Sequence, residues 1–172
     1  MKKALRLPLA AAALVIVVAG VAALQAAAGP SGHANRFEAT FTETNASVTN
    51  RIADLGVFQL INTGTGSVEG FGAATMVLGV TQDRSVHPCG PGSWTNAGIR
   101  RIVLAEGVLV VRELAYVCPT PSGPVATSKW YVDGASSTGM FAGARGSGEA
   151  TVTIASGTAS LSGKLKLDHA AG

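Results

Sequence analysis

Almost every segment between residues 37 and 167 has an apolar–polar period of two, and no stretch there repeats at the spacing of a helix. A period of two puts successive side chains on opposite faces of an extended strand, so such a chain must fold as sheet and bury one face of it. Phe37, Ala39 and Phe41 alternate with Glu38, Thr40 and Thr42, and residues 57–61 make a second strand. Asn62-Thr63-Gly64-Thr65-Gly66 reads as a turn by composition. Residues 71–81 form a longer strand, apolar on both faces, and residues 99–105 and 108–117 predict a hairpin turning at Glu106-Gly107. Residues 125–133 are an aromatic strand, and two alternating strands built on Ala150, Val152, Ile154 and on Ala159, Leu161, Leu165, Leu167 complete the set. About eight evenly spaced strands joined mainly by short turns give an all-β class, read here as a single eight-stranded antiparallel barrel. The interior of such a barrel is just wide enough to be filled by side chains or to hold one small ligand.

The 172 residues suffice for one domain with a sizeable core. Lys2, Lys3 and Arg6 precede an uncharged apolar run over 7–24, then the helix-breaking Pro30 and the small residues around Gly32-His33-Ala34. This is the pattern of a signal peptide over 1–34, followed by a barrel domain over 35–168 and a tail over 169–172. Cleavage after Ala28 and after Ala34 both stay open, and an uncleaved membrane anchor is the competing reading. The protein is therefore expected to be secreted, with no membrane contact after cleavage. Of the 13 basic residues three lie in this head, leaving ten to balance all ten acidic residues beyond it. The basic isoelectric point thus belongs to the head, and a nucleic-acid partner, which needs clustered positive charge on the folded domain, is excluded.

Cys89 and Cys118 are the only cysteines, both in loops rich in Pro and Gly, and in an exported domain they read as one disulfide. Only His87 among the three histidines lies away from the chain ends, so no four-ligand metal set is expected. No phosphate loop, nucleophile elbow or dinucleotide fingerprint occurs, and no cofactor is expected.

Between the aromatic strand and the next, glycines at 139, 143, 146 and 148 surround Phe141. Gly139, Gly143 and Gly146 are expected where the chain turns or meets a neighbour, with Phe141 as an apolar plug. The core Thr138-Gly139-x-Phe141-x-Gly143-Ala144-x-Gly146 and the hairpin after it resemble the allene oxide cyclase and dirigent barrels. Ser128-Lys129-Trp130 followed by this turn is also similar to the spirotetronate-forming cyclases. The resemblance implies an eight-stranded antiparallel barrel with a hydrophobic cavity, often oligomeric, and assigns no catalytic residue to this chain. The strands apolar on both faces also suggest an outer surface covered by a loop or by a second subunit, as in a homo-oligomer.

A two-residue turn at Glu106-Gly107 would place Arg100 opposite Glu113 and Arg101 opposite Arg112. Directly opposed like charges destabilise a sheet unless something between them compensates. One reading has Arg101 and Arg112 inside the rim, binding the anionic end of an apolar ligand flanked by Tyr116 and Trp130, with Arg100 and Glu113 outside. The other has both arginines reaching solvent, or a register one residue away, and Trp130 in the core. Two functions follow: a secreted barrel that binds a small apolar molecule, with a cofactor-free cyclase or isomerase as its catalytic form, or a non-catalytic structural or interaction protein with a filled barrel.

Overall fold

The structure is a computed structural model that describes residues 35–52 and 55–168, so the signal-peptide and tail readings lie outside the described residues. Eight strands form the fold: β1 (Asn35–Ile52), β2 (Val57–Val68), β3 (Gly72–Asp83), β4 (Trp94–Leu104), β5 (Gly107–Cys118), β6 (Val125–Val132), β7 (Arg145–Thr153) and β8 (Thr158–Lys166). Each pairs antiparallel with the next, and β8 pairs with β1, which closes the sheet into an eight-stranded antiparallel barrel. Closure leaves the body of the barrel no free sheet edge to recruit another chain. Two irregularities in β1, at Asn45/Ser47 and Val48/Asn50, let this long strand bend away from β8 while it stays paired with β2.

Inward positions follow the period of two. Phe37, Phe41, Met76 and Phe141 are almost fully buried, each such side chain contributing about 1.5–3 kcal/mol on burial. Trp130 shares a register row with Gly148, Gly163 and Phe37 across β6, β7, β8 and β1. Its indole lies over the two glycines and meets Phe37 edge-on at 5.3 Å between ring centroids. A Cβ on Gly148 or Gly163 would fall 2.5 or 2.6 Å from Trp130 Cζ2. The indole Nε1 donates to the Glu149 carbonyl at 3.0 Å, so the buried ring leaves no polar atom unpaired.

The glycine-rich connection between β6 and β7 closes one end of the barrel. β6 stops opposite Val111, so the first residues of β5 need other partners, and the connection supplies them. Thr138 N–H donates to the Val108 carbonyl, Val110 N–H to Ser137 Oγ, and Asp133 N–H to the Val110 carbonyl. A short 3-10 turn, Gly139–Phe141, then inserts Phe141 against Phe71 at 5.3 Å between centroids. Gly139 has φ +61° and Gly143 φ +73°, the left-handed region that favours glycine. Gly146 is the close approach, since a Cβ there would sit 2.3 Å from the Lys164 carbonyl oxygen. The connection also covers Val110 on the outer wall, which supports a covered outer face at that one point.

At the opposite end Cys89 and Cys118 form a disulfide with Cα atoms 5.7 Å apart, tying the β3–β4 loop to the end of β5. By loop-closure entropy a bond spanning this separation of 29 residues stabilises by about 3–4 kcal/mol. Among the described residues no helix is long and apolar enough to cross a membrane.

Two turns differ from the sequence reading. Residues 62–66 are strand, not turn, because Gly64 and Gly66 are inward positions of β2 left small for their neighbours: a Cβ on Gly64 would fall 2.9 Å from Met76 Cε, and one on Gly66 2.8 Å from Phe41 Cα. The β4–β5 turn is Ala105-Glu106, not Glu106-Gly107, since Leu104 pairs with Gly107. Gly107 has φ +143° and sits where a Cβ would strike the Thr138 carbonyl oxygen at 2.3 Å, which fixes the turn one residue earlier.

Candidate functional site

That shift removes the expected arginine pair. Arg101 lies opposite Val110 and Ile99 opposite Arg112, so the two arginines do not face each other. Both stand on the outer wall, as does Tyr116, which is 60% exposed. The inward phase of the hairpin belongs instead to Arg100, Ile102 and Leu104 on β4 and to Val111, Glu113, Ala115 and Val117 on β5. The arrangement is therefore the reverse of the first reading: Arg100 and Glu113 are inside, Arg101 and Arg112 outside. Trp130 is inside, but it packs on Phe37 in the filled half and does not line a hollow.

Arg112 instead holds the glycine-rich connection from outside. Its Nε and Nη2 donate to Asp133 Oδ2 at 2.9 and 2.6 Å, and Asp133 also accepts from the N–H and hydroxyl of Ser136. The Arg112 bond, with the Ser136 bonds behind it, lowers the Asp133 pKa below its ordinary 3.8. A depressed carboxylate pKa contributes stability above the unfolded value, and that stability is lost as the pH falls through the folded value. Asp133→Asn should therefore lower Tm by a constant amount well above the ordinary aspartate pKa of 3.8, and the gap to wild type should close as the pH falls below that value. Thermal melts across that range check this; an unchanged gap at the lowest pH would show that the carboxylate charge contributes nothing.

The buried charges gather in the half of the barrel toward the disulfide. Arg100 is completely buried, with Nε donating to Glu113 Oε1 at 2.5 Å and Nη2 to Glu113 Oε2 at 3.3 Å. Its Nη1 donates to Glu43 Oε1 and lies 3.0 Å from Met76 Sδ. Burial disfavours the guanidinium charge, but Glu113 and Glu43 together outweigh it and raise the Arg100 pKa above the ordinary arginine value. The strands bring these groups together by register: Glu43 and Met76 flank Gly64 on β1 and β3, and Met76 pairs with Ile102, two residues from Arg100 on β4.

A hollow opens beside this cluster, with about 70 Å³ open to the centres of water molecules. At roughly 10–15 Å³ per water by this measure it holds a few waters or one very small molecule. Glu43, Arg100, Glu113, Asn62, Gln82, Asn96 and Ser128 supply its polar wall, and Leu60, Leu78, Val80 and Val152 its apolar one. Asn62 Oδ1 and Asn96 Oδ1 are buried with no hydrogen-bond partner. Such groups carry a penalty of about 1–3 kcal/mol each unless something in the hollow donates to them. Ser128, 95% buried by its 5% exposure, also borders the hollow. Toward the rim, Arg84 stacks between Phe58 and Trp94 with its Cζ 4.9 Å from each ring centroid, a doubly aromatic cation site filled by the protein's own side chain.

Glu43 is the residue that sequence reasoning missed. It falls in the apolar phase of Phe37, Ala39 and Phe41, and an acidic residue in the buried phase of an alternating strand is a signal for a paired interior charge. Among the described residues no group of His, Cys, Asp and Glu could hold a metal ion. No protein-family model matches this chain, and neither a curated protein nor a solved structure does.

Proposed function

We propose that this chain is an exported barrel that binds a small molecule in the polar hollow beside Arg100. One observation carries the reading: two buried amide oxygens, Asn62 Oδ1 and Asn96 Oδ1, have no protein donor, and both residues border a cavity lined by a buried ion cluster. A purely structural barrel gains nothing from such groups, and apolar residues of the same size would be more stable there. Export is supported by the signal-like head and by the disulfide. The closed eight-stranded barrel agrees with the architecture implied by the resemblance to allene oxide cyclases and dirigent proteins. Cofactor-free isomerisation or ring closure is the catalytic form of this reading, since such reactions need chiefly a shaped, dry site with a few placed polar groups.

The ligand is small and polar rather than fatty. Phe37, Phe41, Met76, Trp130 and Phe141 fill the rest of the core, and the space left falls well short of the roughly 300 Å³ or more of a typical ligand pocket. That filling favours the second reading, a non-catalytic structural or interaction barrel, and one experiment separates the two. Asn96→Leu should raise stability by about 1–3 kcal/mol in denaturant melts, and Ser128→Leu should fill the hollow. In a ligand-observed NMR screen of very small polar fragments, binding should occur with wild type and vanish with Ser128→Leu. No binding to wild type, or binding that survives Ser128→Leu, would support the filled barrel.

A further inference from the structure

We infer that the hollow takes a small organic cation, a primary ammonium being the simplest member of the class. The inference rests on the binding reading above and adds the charge of the ligand. The charges bordering the hollow do not balance: Glu43 and Glu113 face the single cation Arg100. An interior left with one net negative charge is costly unless a positive group joins it or a carboxylate takes up a proton. Arg100 is already committed, since Glu113 takes its Nε and Nη2 and Glu43 takes its Nη1. Among the described residues Glu43 receives Arg100 on Oε1 only, which leaves Oε2 without a protein donor on a residue that borders the hollow.

The neutral groups point the same way. Asn62 Oδ1 and Asn96 Oδ1 are both acceptors without donors, and Ser128 adds a hydroxyl oxygen. An ammonium group offers three donors and no acceptor, which suits the oxygens of this wall. A carboxylate in the same place would meet acceptor oxygens and net negative charge together. A neutral amide would satisfy the oxygens and leave the charge uncompensated. The Arg84 side chain, which does not line the hollow, hydrogen-bonds among the described residues only to Gln82 Oε1 at 3.5 Å and is held between Phe58 and Trp94. The volume accepts a group of a few heavy atoms, and Val80 and Val152 offer its carbon a dry wall.

Three probes of similar size and different charge test this: methylammonium, acetamide and acetate, titrated calorimetrically into the full protein in amine-free sodium phosphate. Methylammonium should bind and acetate should not. Acetamide should bind at least tenfold more weakly, and Glu43→Gln should weaken methylammonium at least tenfold. Should Glu43→Gln fail to fold, magnetisation transfer from the methylammonium methyl to the Val80 and Val152 methyls in wild type serves instead, and its absence counts against the site. Acetamide binding as tightly as methylammonium, or acetate binding better, would overturn the cation while leaving a small-molecule site. Methylammonium binding unchanged by Glu43→Gln would overturn the assigned charge. No binding by any of the three would overturn the cation and the binding reading together.

Discussion

Arg100→Met should destabilise the barrel by about 3–5 kcal/mol, because it strands Glu43 and Glu113 inside without their shared cation. A buried ion cluster is a weak source of net stability when whole, and breaking it on one side is what costs. The loss should therefore be largely recovered when Glu43→Gln and Glu113→Gln are added to Arg100→Met, since the stranded charges go with them. Arg101→Met, one residue away on the outer wall, should change stability by less than about 0.5 kcal/mol. Chemical denaturation of the three variants beside wild type measures all of this. Equal small losses for Arg100→Met and Arg101→Met would mean that Arg100 is not buried among carboxylates, and no recovery in the triple variant would mean that its side chain acts by packing alone.

Gly148→Val should damage the wall heavily, at about 3 kcal/mol or more. Its Cβ would fall 2.0 Å from the Ser162 carbonyl oxygen as well as 2.5 Å from Trp130, so neither backbone nor ring can yield cheaply. The same substitution at Gly79 is the control. That glycine faces outward with nothing within 4 Å of an added Cβ, and valine suits a strand. Gly79→Val should melt within a few degrees of wild type. Comparable melting of both variants would show that Trp130 does not rest on the Gly148–Gly163 row.

The class and closure of the fold were legible because the alternation is regular on β1, β7 and β8, where Phe37, Ala150 and Leu161 leave no doubt which phase is buried. On β4 and β5 both phases are apolar. Ile99, Val103, Leu114 and Tyr116 looked as fit for the interior as Ile102, Leu109, Val111 and Val117, and the structure leaves the first four exposed. Periodicity alone does not choose between them, and neither does the turn: setting it at Ala105-Glu106 shifts the pairing by two residues, which separates Arg101 from Arg112 but leaves both on one face, so which face is inside is decided by packing. What set that turn was a contact far along the chain, Gly107 against Thr138 in the glycine-rich connection. The glycines of 62–66 misled for a related reason: composition marks where a side chain is absent, not whether a turn or a bulky neighbour requires it. The disulfide and the plugging Phe141 needed no register, and the structure places both as read.

The exchange of inner and outer arginines is best tested by the arginine side-chain Nε–H resonances of the labelled protein, followed by hydrogen exchange and by addition of methylammonium. Arg100 should give a strongly protected Nε–H, held by Glu113, that shifts when the probe enters the hollow. The Nε–H of Arg101, on the outer wall, should exchange rapidly and stay in place. A rapidly exchanging Arg100 beside a protected, probe-sensitive Arg101 would put the hairpin in the opposite phase and remove the interior site.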